Sequence, residues 1–377
     1  MSNADRPTDR QLRRESSSGS DLLILPGPQV HEFDLTARPL PSESPEDTVR
    51  RCFALLAARE AAPVQVTVFG RVDASEAGSQ ALAAAAGAQR WPVTWVEGLP
   101  FDDAPLAGIH VHAVSGAVPE TLLVDGSPVG RVFSDGAATH CYLGDLGPMA
   151  PSLPPAEQAT EVFESLEATL GQVGMDLSHV ARTWLYLDDI LSWYDDLNRA
   201  RTRFFHDRHV FDGIVPASTG IAGRNPAGTA IRAQALALKS AGGALSVQAL
   251  PSPLQCPALQ YGSSFSRAVE VGLPGSRRVL VSGTASIAPS GESVCLGDVD
   301  RQVARTVEVV EAILASRGMT LDNTTRAYAY FKYAKDASAF QRYCDGRGLA
   351  LPAIVAAMDV CRDDLLFEIE LDAAIGA

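Results

Sequence analysis

An internal repeat constrains this chain more than any other feature. Residues 158–187 lie over residues 302–331 without a gap at an offset of 144. The identities include Gln158/Gln302, Glu167/Glu311, Ala168/Ala312, Leu170/Leu314, Gly174/Gly318, Met175/Met319, Leu177/Leu321, Arg182/Arg326 and Tyr186/Tyr330. A period this long indicates duplicated domains rather than a solenoid of short repeats.

Hydrophobic periodicity gives both copies the same plan. In the middle section it predicts strands over 121–124, 130–134, 180–187 and 230–238, and helices over 157–171 and 190–207. In the last section it predicts strands over 266–271, 278–287, 325–332 and 365–373, and helices over 300–317 and 337–346. The first section reads as strand 21–25, helix 45–60, strand 64–69, helix 74–86 and strands 91–96 and 108–114. This is the same unit without its opening strands. The expected organisation is a tail without order over 1–20, a partial unit over 21–115, a complete unit over 116–240, a linker over 241–257 and a C-terminal unit over 258–377.

The closing strand of the last unit alternates Phe367, Ile369 and Leu371 with Glu368, Glu370 and Asp372, so one sheet face is apolar and the other carries a row of carboxylates. The corresponding segments, 109–112 and 231–234, carry His110/His112 and Arg232/Gln234 at the polar parity. Polar rows in all three copies point to sheets that face one another across polar clefts. The two histidines could bind a metal, but no third ligand is evident, and a polar interface between units is the expected use of the pair.

Net charge sets limits on partners. Lys and Arg number 31 against 45 Asp and Glu, a net −14, so no general basic field exists for nucleic acid or an anionic membrane. An anionic ligand has to be held by a local arginine cluster. The six cysteines show no CxxC spacing, which fits reduced thiols in a cytoplasm, and the first 20 residues lack the apolar core of a secretion signal. No apolar run reaches the length of a membrane span, and there is neither a Walker loop nor a GxGxxG between a strand and a helix, so no cofactor is expected.

The Gly-containing strand over 280–284 and the Glu-Ile-Glu over 368–370 resemble the YjgF/RidA family, whose members are homotrimers with sites between subunits. The arginine of that family falls here on Ile354 and Ser218, which counts against imine deamination. Six further segments, over 182–194, 198–202, 216–221, 223–228, 261–267 and 361–368, resemble the motifs of the chorismatases, RidA-like bacterial enzymes that remove pyruvate from chorismate. The resemblance implies tandem α+β (α/β) units of chorismate-mutase-like fold in a pseudo-trimeric arrangement within one chain. It also implies a small-molecule substrate, and leaves the chain a monomer or a small homo-oligomer. A non-catalytic ligand-binding protein of the same fold is the alternative from another class.

Opening the enol ether of chorismate requires a proton donor in a partly buried cleft, and a second carboxylate nearby helps to keep the first protonated. By the resemblance the donor is Glu368, with Glu370 either supporting it or structural. The two carboxylates of the substrate call for guanidinium partners, and the candidates are Arg201, Arg224 and Arg267, with Tyr186 as a hydroxyl donor. Cys361 lies at the head of the same strand. In the family a cysteine there accompanies release of 3-hydroxybenzoate; other outcomes are a trans-dihydrodiol or a mixture with 4-hydroxybenzoate.

Overall fold

The computed structural model describes residues 12–86, 89–101, 104–242 and 244–376. Three six-stranded sheets follow one another along the chain. The first unit comprises β1 (Arg13–Ser17), β2 (Ser20–Leu25), β3 (His31–Ala37), α1 (Pro45–Ala57), β4 (Ala62–Gly70), α2 (Ser75–Ala86), β5 (Val93–Glu97) and β6 (Leu106–Ser115). The second comprises β7 (Glu120–Val124), β8 (Ser127–Ser134), β9 (Ala138–Leu146), α3 (Pro155–Gly171), β10 (Val180–Leu187), α4 (Ile190–Asp207), β11 (Ala217–Ala222) and β12 (Ile231–Ser240). The third comprises β13 (Ser246–Leu250), β14 (Ala268–Leu273), β15 (Ser276–Ala285), α5 (Val299–Ala315), β16 (Thr324–Phe331), α6 (Ser338–Arg347), β17 (Ala353–Ala357) and β18 (Phe367–Gly376).

Strand order is the same in each sheet: β1-β2-β3-β6-β4-β5, β7-β8-β9-β12-β10-β11 and β13-β14-β15-β18-β16-β17. The closing strand of each unit returns to the middle of its sheet. The last two strands in each order run parallel, joined by a helical crossover, and the other pairs are antiparallel.

Three sequence expectations are corrected here. The first unit is complete rather than partial, because β1, β2 and β3 open it. Ordered structure therefore reaches back into the expected tail, where β1 pairs with β2 as an exposed, charged edge strand that offers no apolar pattern to read; residues 1–11 of that tail lie outside the described residues. The expected linker contains β13, which hydrogen-bonds along β14.

Each pair of helices covers the outer face of its sheet and closes a separate apolar core. In the third unit Val303, Val307 and Val310 of α5 pack against Phe367, Ile369 and Leu371 of β18. The repeat identity Gln158/Gln302 has a shared task. The Gln158 side chain accepts from the Ala230 N–H, and that of Gln302 from the Leu366 N–H, each tying a helix to the approach of its closing strand.

The inner faces of the three sheets meet around a pseudo-threefold axis. Phe69, Tyr186 and Tyr330, one from each unit, cluster there, with the Phe69 ring 6.2 Å from each tyrosine. Register fixes what stands beside them. Phe69 pairs with Gly108, Tyr186 with Arg232 and Tyr330 with Glu368. Thus Gly108, not His110, is the counterpart of Glu368. Alternation in sequence fixes which face a residue takes, but a slip of two residues preserves the face and is invisible to it.

The units contact one another in a cycle. The third unit meets β11 of the second, where the Gly283 N–H donates to Thr219 Oγ1. The second meets the first where the Asp145 N–H donates to Thr94 Oγ1, and the first meets the third through backbone bonds between Leu99 and Ala357. The His110/His112 pair sits in this framework as a polar interface. His112 lies between Asp34 (2.9 Å) and Glu32 (3.2 Å), and Glu32 in turn pairs with Arg278 of the third unit. Burial works against a charge on His112, but the two carboxylates raise its pKa to about 9. No helix among the described residues is long and apolar enough to cross a membrane.

Candidate active site

The cleft between the second and third units differs from the other two in what its closing strand contributes. In β18 the apolar parity faces the helices, so Glu368 and Glu370 point inward and both are buried. Space for the Glu368 carboxyl is made by Gly283 on the neighbouring β15, where a Cβ would collide with Glu368 Oε1. At the matching place in the first unit, a Cβ on Gly108 would strike Ile354, so that cleft is closed by apolar contact. In the second unit Arg232 reaches back to the Asp145 carbonyl at 3.0 Å.

Opposite Glu368 stands α4. Its first turn is irregular, with Asp189 in the left-handed region (φ 47°) and Trp193 away from helical angles (φ −146°). Beyond this kink Tyr194, Asn198 and Arg201 follow one another at spacings of four and three residues and line one pocket. The Arg201 side chain is buried. It donates to Asn198 Oδ1 at 2.7 Å and to Ser218 Oγ at 3.4 Å, while its Nε has no partner. Burial pulls its pKa down from the ordinary arginine value.

Arg267, also buried, precedes β14. Its Nε and one terminal nitrogen donate to the Cys256 carbonyl at 3.0 and 2.9 Å, and its guanidinium lies over the rings of Tyr261 and Phe265 at 5.3 and 5.7 Å. Among the described residues, neither Arg201 nor Arg267 has a carboxylate within salt-bridge distance. Buried guanidinium groups without counter-charges are costly. An anionic ligand in this pocket would supply the missing charge. The pocket encloses about 760 Å³ including its open mouth, and Arg362, which donates to the Gly291 carbonyl at 2.8 Å and lies over Tyr261, completes its wall.

The two carboxylates of β18 have different company. Glu370 accepts from Trp184 Nε1 (2.9 Å) and Arg326 (3.1 Å) on one oxygen and from Arg182 and Thr219 Oγ1 on the other. Burial pushes its pKa up, but Arg182 and Arg326 prevail and hold it below the ordinary value. Glu368 has no such pairing. Burial and then the neighbouring Glu370 charge raise its pKa to about 8, against the opposing pull of Arg182 and Arg267. At neutral pH it is therefore a carboxylic acid, able to donate a proton. Cys361 lines the same pocket, and burial followed by the Glu368 charge pushes its thiol up to about 12, so it is not a thiolate nucleophile.

Of the residues singled out in sequence, Glu368, Cys361, Arg201 and Arg267 come together in this pocket. Arg224 and Tyr186 do not. The Arg224 guanidinium is largely exposed and grips Glu97 of the first unit through two bonds of 2.5 and 2.6 Å, so it serves a different seam. Tyr186 is fully buried at the pseudo-threefold axis, with its hydroxyl 3.3 Å from Gln234 Oε1. Sequence reasoning passed over Tyr194, Asn198, Tyr261 and Arg362. The first two were signalled by their helical spacing to Arg201, and Tyr261 and Arg362 only by standing inside the motif-like segments 261–267 and 361–368.

No family model matches the chain. It is 28% identical over 265 residues to a 3-hydroxybenzoate synthase of Streptomyces hygroscopicus, covering 62% of this chain and 75% of that protein. A RutC family protein of Pyrococcus abyssi is 31% identical over 109 residues, covering 28% of this chain and 82% of the relative. A crystal structure of a chorismatase superposes with a TM-score of 0.62 at 19% identity over 91% of this chain and 98% of that one, a likeness of fold.

Proposed function

The chain belongs to the RutC family and, with its RidA-like fold, to the chorismatases, and from that premise we propose that it removes pyruvate from chorismate. The reading is carried by one observation: a carboxylic acid, Glu368, shares a pocket with two buried guanidinium groups that lack counter-charges. Chorismate is a dianion with an enol ether. Arg201 and Arg267 take its two carboxylates, and Glu368 faces the enolpyruvyl group. Its proton passes to the methylene carbon, leaving an oxocarbenium ion that an oxygen nucleophile traps, and collapse of that adduct releases pyruvate.

Hydrolysis alone gives a trans-dihydrodiol and consumes one water. For 3-hydroxybenzoate the ring also loses its hydroxyl as water, so none is consumed overall. Cys361 stands at the pocket wall as a neutral thiol, where it steers the ring towards aromatisation, and 3-hydroxybenzoate is the product proposed. Neither position of the RidA arginine carries a cation here: Ile354 is buried and apolar, and Ser218 is a hydroxyl beside Arg201. The test is incubation of the purified chain with chorismate, with pyruvate assayed and the ring products separated by chromatography. Equimolar pyruvate and 3-hydroxybenzoate are expected; chorismate bound but unconverted would leave a ligand-binding protein of this fold.

A further inference from the structure

Glu370 is surrounded by more donors than a buried carboxylate needs for solvation alone. Both of its oxygens are filled, by Trp184 and Arg326 on one and by Arg182 and Thr219 on the other. Arg326 also holds Asp372 at 2.7 Å. Two guanidinium groups are thus matched by the two carboxylates of Glu370 and Asp372, and Glu368 stands beside this balanced set without an ion pair among the described residues. Arg182 nevertheless keeps spare capacity, because its Nε and one terminal nitrogen are buried without partners.

We propose that Glu370 is a positioning residue that keeps Glu368 a carboxylic acid in two ways, by its own adjacent charge and by occupying Arg182, which would otherwise stabilise the Glu368 anion. The inference rests on Glu368 as the proton donor of the reaction proposed above. The other titratable and charged groups around Glu368 are Tyr194, Asp195 and Arg201 from α4, Tyr261 and Arg267 ahead of β14, Cys361 and Arg362 from the loop before β18, and Tyr330 beside it on β16. Arg182 and Arg267 oppose protonation, and a bound dianion offsets the pull of Arg267, which lines the pocket. Tyr194 and Cys361 are neutral, since burial raises both. Arg182 is therefore the cation whose assignment Glu370 decides.

The test uses the full chain and follows the carboxylic acid C=O stretch by infrared difference spectroscopy across pH, with Glu368→Gln to assign the band. The pH profile of pyruvate release is read beside it. In Glu370→Gln the titration midpoint is expected to fall by about one unit or more, and in Arg182→Met to rise, because removing an adjacent cation disfavours the anion. A purely structural role would disturb both variants alike. An unchanged midpoint in a folded Glu370→Gln protein overturns the proposal. If that variant does not fold, an unchanged or lowered midpoint in Arg182→Met does the same. Should the midpoints move as stated while chorismate is not consumed, the reaction assigned above fails and the charge arrangement stands.

Discussion

Glu368 and Glu370 stand two residues apart on one face of β18, and their surroundings move their carboxyls in opposite directions. Burial raises both, but Arg182 and Arg326 reverse the effect at Glu370, while the Glu370 charge adds to it at Glu368. One strand thus presents an acid and a fixed anion side by side.

The acid gives a pH dependence with a definite sign. Glu368 donates only when protonated, so turnover is expected to fall as pH rises through about 8. The folded state also keeps this proton from the ordinary value of 4.5 up to about 8, so the contribution of Glu368 to stability declines across that window as pH rises. Glu368→Gln is expected to abolish pyruvate release and to melt at a higher temperature than the parent above pH 8. A variant that still turns over would remove Glu368 as the donor.

Arg201 and Arg267 are expected to act on binding. A charge-assisted hydrogen bond contributes about 1.5–3 kcal/mol, so replacing either by Met should raise KM for chorismate roughly ten- to a hundred-fold. Arg224→Met, which breaks only the exposed contact with Glu97, should leave KM unchanged. Steady-state kinetics of the three variants separates pocket from seam.

Cys361→Ala is expected to alter the ratio of 3-hydroxybenzoate to other ring products more than the total rate, because its thiol is neutral and lines the pocket. Chromatography of the products checks this, and an unaltered ratio assigns the thiol to packing.

Gly283→Ala places a methyl group against Glu368 Oε1 and is expected to displace the carboxyl. Turnover should fall steeply in a chain that still folds, with circular dichroism as the control. Tyr186→Phe serves as the contrasting case. It removes one long hydrogen bond to Gln234 from a side chain that does not line the pocket, so stability should fall by about 1 kcal/mol with kcat preserved.

The repeat was legible because its identities have structural tasks. Gln158 and Gln302 fasten the closing strands, Arg182 and Arg326 meet at Glu370, and Tyr186 and Tyr330 fill the axis. Two full-length strands, β3 and β9, escaped reading although they are seven and nine residues long, and the other misses were short or lacked contrast. The strands β11 and β17 consist largely of small residues, and β1 is an exposed edge of charged and polar side chains. The site was half legible. The resemblance to the chorismatase motifs marked Glu368, Arg201 and Arg267 as functional types, but only the packing of one sheet against another decides which cleft a side chain enters. Arg224 therefore looked equivalent to Arg267 in sequence while occupying a different seam.

The cycle of three units around one axis has a further consequence. Both walls of the Glu368 pocket are tethered in one polypeptide, so their effective concentration is fixed by the chain and dilution does not open the pocket. Each wall is also encoded once. A substitution at Gly108 or Arg232 reshapes one seam and leaves the acid-bearing cleft alone, whereas in an assembly of identical subunits the same change would be copied into every interface. Two of the three seams are thereby free to specialise in adhesion.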